Sequence, residues 1–491
     1  MSRRLYSGFA CAALMLTFVA IVWADLHRSP WYDEFYTQFV TRPGVSWGQA
    51  LRESWLADNH PPLFYMLARA TDWLGAIPLH RLLNPALGLV AVIGARVVLR
   101  DGAVAAALAV ALAANPWTLL AGSELRSYFL SLCAGGLLAL CLCAIRMGER
   151  GRGLALVYAI SAMVAFNVHI VTSLTAGALI VPFLLASLVH RDWRQARAIA
   201  WPALAGGLVF TAISLIQLPM WLANTQVFWI EPGFSSGRWA VEWAVLHTLW
   251  GDVLLVAGAL AGAGLMWRDG AARRGSGEGS ALLLLSCGLG MAVAGLIAVH
   301  MLRPLLIEKY LTGLVGALCV VLAMGFARLL RAAGRLWGAV LLASVFALGV
   351  LSLWHNTQQA VAKPGWMGTG RAIAAIVARC PGAVVHTDPR WNANVLTALP
   401  RDNALVAPFA YRSIAGDLGF SLAPAGSRSM ARSCPTIFWG EHDGGHHFNR
   451  DIVLADVREA GFPVGTLAFL RIDDGWLAIA PASRRSVGRF P

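Results

Sequence analysis

The chain has 491 residues, of which 58% are hydrophobic and only 13% charged, with a mean hydropathy of +0.62. Soluble globular domains are about 45–50% apolar and about 25% charged, so this balance excludes a soluble fold and points to a polytopic helical membrane protein. The net charge of +13, from 39 Lys+Arg against 26 Asp+Glu, would suit nucleic acid in a soluble protein. In a membrane protein, loop arginines held against anionic membrane lipid account for it, and no nucleic-acid partner is expected.

Ser2-Arg3-Arg4 precedes the apolar segment Leu5–Ala24. Val22-Trp23-Ala24 is a poor small-residue cleavage site, so this reads as an uncleaved anchor with its positive end inside. Ser29-Pro30-Trp31-Tyr32-Asp33-Glu34-Phe35-Tyr36-Thr37 follows, two adjacent carboxylates set among aromatic rings at the expected membrane boundary. They read either as a solvated turn or as a tuned acid–base pair. Asp58-Asn59-His60-Pro61-Pro62 comes next; the double proline ends any preceding helix and presets the next, fixing where Asp58 and His60 point. Pro61–Leu74 is apolar but short and carries Arg69 and Asp72, so an amphipathic helix lying on the membrane is expected.

Further spans are predicted over 82–99, 103–120, 128–145, 154–171, 173–189, 198–218, 246–267, 281–300, 310–328 and 337–354. The connections then predicted inside carry Arg96/Arg100, Arg146/Arg150/Arg152, Arg191/Arg194/Arg197, Arg268/Arg273/Arg274 and Arg328/Arg331/Arg335. All fall on the side of Arg3 and Arg4, as the positive-inside rule requires. About eleven spans result, with the N-terminus cytoplasmic and the C-terminus outside. The outer face receives 25–80, Gly122–Ser127, the turn beside His169, 219–245, Leu302–Lys309 and everything after Trp354.

Residues 355–491 change character and predict a small extracytoplasmic α/β domain. A helix is expected over Arg371–Arg379, strands over Ala383–Thr387 and Thr436–Trp439, a helix over Ile452–Ala460, and a hairpin over Thr466–Ile479. Six cysteines fall in apolar runs and read as small core residues. Cys380 and Cys434 are left in the polar region and form a candidate disulfide there. Gly270–Ser280 reads as a flexible inner loop. Glu441-His442-Asp443-Gly444-Gly445-His446-His447 is the candidate for a divalent metal, without helical ligand spacing. No other cofactor is called for, because no phosphate-binding glycine motif occurs in a strand–helix setting.

Two outer connections complete the candidate site. Ser123-Glu124-Leu125-Arg126-Ser127-Tyr128 opens a span, with Arg126 free to pair locally or to snorkel. Arg303-Pro304-Leu305-Leu306-Ile307-Glu308-Lys309-Tyr310 brackets a short turn with two cations. Such a turn at the mouth of an apolar bundle suits a phosphate whose lipid tail runs into the membrane, or serves as an interfacial anchor.

In order and spacing over residues 1–330, these stretches resemble the GT-C membrane glycosyltransferases. The likeness is to bacterial family 39 proteins of the protein O-mannosyltransferase and lipid A aminoarabinose transferase type. It rests on Trp31-Tyr32-Asp33-Glu34, His60-Pro61-Pro62-Leu63, Glu124-Leu125-Arg126-Ser127-Tyr128 and Glu308-Lys309-Tyr310-Leu311. The resemblance implies an inverting hexosyl or pentosyl transfer from a polyprenyl-phosphate donor to a lipid, glycan or protein acceptor of the cell envelope. It places Asp33 as general base, Glu34 beside it, and Lys309, Arg303 and Arg126 at the donor phosphate. Asp58, His60, Glu124, Tyr128, Glu308 and Tyr310 would shape the site. Lys309 stands where the pattern has arginine, a point charge in place of a bidentate fork. A transporter or a noncatalytic envelope scaffold is the alternative. Against a transporter stand spans nearly free of charge and the lack of a visible internal repeat.

Overall fold

The structure, a computed structural model, describes residues 3–58, 60–223, 230–268, 277–387, 406–424, 427–441, 450–459, 467–473 and 475–482. It divides into two compact units, Met1–His27 with Pro43–Ala360, and Arg28–Arg42 with Val361–Pro491.

The first unit is helical: α1 (Arg3–His27), a short helix carrying the proposed surface segment, then a bundle of apolar helices. We number tyrosine-bearing Tyr32–Thr41 as α2, although it belongs to the other unit. Leu63–Ala70 is α3, Leu83–Val98 α4, Gly102–Ala114 α5, Pro116–Gly122 α6, and Tyr128–Arg146 α7. Arg152–Val168 is α8, Ile170–Val189 α9, Trp193–Ala223 α10, and Phe234–Trp250 α11. Val253–Arg268 is α12, Glu278–Leu302 α13, Thr312–Ala332 α14, and Gly334–Ala362 α15.

Among the described residues eight helices are long and apolar enough to cross a membrane, or ten if each of two bent pairs is one span. The remaining predicted span is α8, an apolar helix just short of spanning length. Leu63–Ala70 is too short to cross, and its Arg69 guanidinium donates to the Pro43 and Val45 carbonyls at 3.1 and 2.8 Å. Its Phe64 and Tyr65 are buried while Met66 is exposed, the two-faced pattern of a surface helix.

Two predicted spans are not continuous. The segment 103–120 bends by 68° between α5 and α6, and 246–267 bends by 94° between α11 and α12. Pro116 lacks an N–H and cannot continue α5, while Asn115 turns back to cap the Trp117 N–H at 2.9 Å. At the second break Asp252 caps the Leu255 N–H at 2.9 Å. The breaks pack on one another: a methyl on Gly251 would press on the Ala114 carbonyl. Asn115 reaches Thr248 at 3.3 Å and Trp117 donates to the Ala244 carbonyl at 3.1 Å.

Helix α14 is the centre of the bundle, with α7 on one side and α12 on another. Gly135 of α7 meets the Gly313 carbonyl, and Gly262 of α12 meets the Gly325 carbonyl, so closely that any Cβ would collide. Small residues permit this close approach, and in lipid the gain is dispersion and interhelical polar contact.

In the second unit the strands β1 (Val384–Thr387), β2 (Thr436–Gly440), β3 (Ala468–Ile472) and β4 (Gly475–Ala480) form a sheet of order β1-β2-β4-β3. β1 runs parallel to β2, and the other pairs are antiparallel. Helices α16 (Met367–Arg379), α17 (Val406–Asp417) and α18 (Arg450–Glu459) accompany it. Of these only α17 has no counterpart in the sequence reading; Pro408 and Gly416 in its sequence mask it. Cys380 and Cys434 are disulfide-bonded with Cα atoms 5.7 Å apart, tying the end of α16 to the sheet.

The segment Arg28–Arg42, read from the sequence as part of the membrane domain's outer loop, packs instead within this unit. The Trp366 N–H donates to the Pro30 carbonyl at 2.9 Å, and the Met367 N–H to Ser29 Oγ at 3.0 Å. Tyr32 and Phe35 lie on the buried Trp366 ring at 5.9 and 5.7 Å, and Phe39 meets Phe409 at 5.5 Å. The physical reason is that α2 carries more aromatic surface than a short loop helix can bury alone.

Candidate active site

The predicted site residues fall on both units. Asp33 and Glu34 occupy the first turn of α2 in the second unit, where negative charge suits the helix dipole. Glu34 is fully buried, and its carboxylate reaches back to the Trp31 N–H at 3.3 Å. That is the N3 half of a capping box, so Glu34 stiffens the turn that presents Asp33. Asp33 itself is half-buried.

In the first unit the structure gathers Asp58, His60, Arg126, Tyr128, Lys309 and Tyr310. The Tyr65 hydroxyl donates to the Asp58 carboxylate, and His60 Nδ1 lies 3.5 Å from the same oxygen. Burial raises the Asp58 carboxyl pKa, but the hydrogen bonds and charge of His60, the Tyr65 hydroxyl and the Arg126 guanidinium together outweigh it. The net position lies below the ordinary 3.8. Asp58 is therefore the resident carboxylate of a cationic site.

Tyr128, almost fully buried, is the ring around which the cations collect. Arg126 lies 5.9 Å and Lys309 5.5 Å from its centroid, within cation–π range. Tyr310 stands 5.7 Å from Tyr128, and His60 6.0 Å from Tyr310. His60, Pro61, Phe64, Tyr65, Arg126 and Ser127 line a narrow cleft beside them.

Glu124 is buried, and its carbonyl is held by Asn84 Nδ2 at 2.6 Å, with the Gly122 carbonyl at 2.9 Å. Asn84 thus shapes the turn that projects Arg126. Arg303 and Glu308 lie half-buried on the α13–α14 connection with Lys309. His300 sets that connection by accepting the Leu305 and Leu306 N–H groups on Nδ1 at 3.1 and 3.0 Å.

Three residues escape a sequence reading. Tyr65 looks like one more aromatic on an apolar helix. His169 sits between α8 and α9, its ring 4.6 Å from Tyr310 and 4.9 Å from His60. Its Nδ1 accepts the Val171 N–H at 3.2 Å, which leaves Nε2 to carry the proton of the neutral ring. Gln217, fully buried on α10, donates to the carbonyls of Trp55, Asp58 and His60 at 3.3, 2.9 and 3.0 Å. It pins the loop that presents Asp58 and His60. The outer position of His169 was the one available signal.

Of the metal candidate, residues 442–447 lie outside the described residues. Glu441 is buried and accepts hydrogen bonds from Thr369 and from Trp439 Nε1, the latter at 2.6 Å. It is occupied in the domain interior. Among the described residues no group of three or more His, Cys, Asp or Glu side chains is arranged around a common centre.

The fold is GT-C-like: a bundle of apolar helices, broken at two places, and a small sheet domain. Two solved structures share it. ArnT from Cupriavidus metallidurans in the apo state is 14% identical, with a TM-score of 0.52, covering 96% of this chain and 97% of that one. ArnT from the same organism bound to undecaprenyl phosphate is 14% identical, with a TM-score of 0.50, covering 98% of each chain. Identity this low carries the fold and no residue role. No family model matches the chain, and no curated protein matches it in sequence.

Proposed function

We propose that this multi-pass membrane protein is an inverting glycosyltransferase. It moves a hexose or pentose from a polyprenyl-phosphate donor to a lipid, glycan or protein acceptor of the cell envelope. The observation that carries this reading is the pairing of Arg126 and Lys309 around the buried Tyr128 ring. A cationic site walled by aromatic rings suits a phosphate on an apolar tail, and a solved protein of this fold binds undecaprenyl phosphate.

In the proposed reaction the acceptor hydroxyl oxygen attacks the anomeric carbon on the face opposite the phosphate. The bond from that carbon to the phosphate oxygen breaks, its electron pair leaves with polyprenyl phosphate, and Asp33 takes the hydroxyl proton. Lys309 and Arg126, joined by Arg303, stabilise the charge that grows on the leaving phosphate. Glu34 holds the α2 turn, while Asp58, His60, Glu124, Glu308, Tyr128 and Tyr310 shape the pocket and its charge.

We place the chemistry on the extracytoplasmic face of a bacterial inner membrane, with the N-terminus cytoplasmic. Two observations support that orientation. Arg100, Arg146, Arg331 and Arg335 lie at the helix ends opposite the site, as positive-inside requires, and the Cys380–Cys434 bridge suits an oxidising compartment.

Mass spectrometry of envelope glycans and lipid-linked sugars tests the reading in cells carrying the wild-type chain, Asp33→Asn, or neither. The expected result is loss of one glycan modification and accumulation of its lipid-linked sugar in both deficient strains. Full activity of Asp33→Asn would sink the base assignment, and an unchanged glycan profile without the chain would favour a transporter or scaffold.

A further inference from the structure

At the end of the bundle remote from Lys309, an open pocket of about 810 Å³ lies between the start of α1, the α4–α5 connection and the α14–α15 turn. Tyr6, Arg100, Asp101, Arg331, Gly334 and Arg335 line it. Gly334 adopts φ +74°, the left-handed conformation that glycine tolerates, and so lets α15 begin after the single connecting residue Ala333, which sets Arg331 and Arg335 on one rim.

The charges of this pocket are not equivalent. Asp101 is occupied on both oxygens: Oδ1 caps the Ala103 N–H at 2.8 Å, and Oδ2 pairs with Arg331. Arg331 in turn is shared with Glu278. These groups form a closed ionic knot that joins the ends of α5, α13 and α14. Arg100 touches Glu149 at 3.0 Å, but its side chain is 72% exposed, leaving most of its donors toward solvent. Among the described residues Arg335 has no carboxylate within ion-pair distance. The donors left over are thus cationic, while the acidic acceptors are consumed.

What flanks Arg335 distinguishes a lipid from a free anion. Leu336 and Trp337 follow it directly and are 72% and 67% exposed. An exposed leucine and tryptophan beside an arginine at the first turn of an apolar helix form an interfacial arrangement, with apolar side chains for acyl tails and a guanidinium at headgroup depth.

We propose that this pocket binds the phosphodiester headgroup of an anionic membrane lipid, held by Arg100 and Arg335 with its tails against Leu336 and Trp337. The planar guanidinium matches two phosphate oxygens at once. The lipid would bridge α4 to α15 beside the Asp101–Arg331 pair, independently of the transfer reaction.

Native mass spectrometry and thermal unfolding of the full chain test this, in nanodiscs of phosphatidylcholine alone or mixed with phosphatidylglycerol. The wild-type chain should retain phosphatidylglycerol on release and unfold at a higher temperature in the mixed membrane. Arg100→Ala with Arg335→Ala should weaken that retention by roughly tenfold or more, since each arginine near an anionic surface contributes about fivefold. Its unfolding temperature in phosphatidylcholine should stay at the wild-type value. Equal retention of both lipids by the wild-type chain would overturn the proposal, as would undiminished phosphatidylglycerol retention by the double variant. A midpoint rise produced equally by inorganic phosphate would overturn the lipid assignment. Should the double variant fail to fold, Arg335→Ala alone decides, because that side chain is exposed; retained lipid preference there refutes the site.

Discussion

The Tyr65 hydroxyl and the Asp58 carboxylate are hydrogen-bonded across the Pro61-Pro62 step, and His60 closes on the same carboxylate oxygen. The buried carboxylate is thereby held from both flanks of the double proline, and Gln217 clamps the backbone beneath it. Asp58→Ala removes a buried charge that balances Arg126 and should cost about 3–5 kcal/mol of stability. Tyr65→Phe removes one hydrogen bond to a charged group, about 1.5–3 kcal/mol. Gln217→Leu leaves three carbonyls without that donor and should act more on turnover than on protein yield. Thermal unfolding in detergent beside transfer kinetics checks the order, which fails if Tyr65→Phe is the more damaging of the first two.

The same carboxylate sets a pH dependence. Its folded pKa lies below the ordinary 3.8, so its stabilisation is fully present above 3.8 and is lost as pH falls through the lower folded value. The difference in unfolding midpoint between wild type and Asp58→Asn should be constant above pH 3.8 and shrink beneath it. A difference that already shrinks between neutrality and 3.8 would contradict a depressed carboxyl.

Lys309 faces the proposed phosphate as a point charge. Lys309→Ala should lower kcat/KM for the lipid-linked donor by about 10–100-fold, the value of one hydrogen bond to a charged group, with KM raised because the donor phosphate is already charged and kcat lowered because that charge grows during transfer. Lys309→Arg should retain activity, because the fork supplies at least as many donors. Inactivity of Lys309→Arg with a normal unfolding midpoint would show that the ammonium does something other than bind phosphate.

The Cys380–Cys434 bridge closes a loop with a sequence separation of 54. Cys380→Ser should destabilise the protein by about 2–4 kcal/mol and make its unfolding indifferent to reductant. In growing cells the wild-type pair should resist thiol labelling before reduction and react after it. Two freely labelled thiols in cells would place the second unit in a reducing compartment and reverse the orientation proposed above.

The sequence by itself determined the membrane character, the positions of nearly all the apolar helices, the strands of the small domain and the cysteine pair. Each depends on runs of neighbouring residues: an apolar stretch becomes a helix in lipid because every backbone group must be satisfied within the segment. It also brought His60, Arg126 and Lys309 to one face, since alternating spans leave only two ends. What it left open depends on which helices touch. Pro116 and Gly251 were visible as possible interruptions, but bends of 68° and 94° arise because the two breaks pack on each other through Asn115, Thr248 and Ala114. Gln217 and His169 carry no local signature; the first acts through a carbonyl 157 residues away, the second through rings from other helices. Asp33 moved from the membrane unit to the small domain because aromatic burial against Trp366, more than 300 residues along the chain, outweighs nearness in sequence.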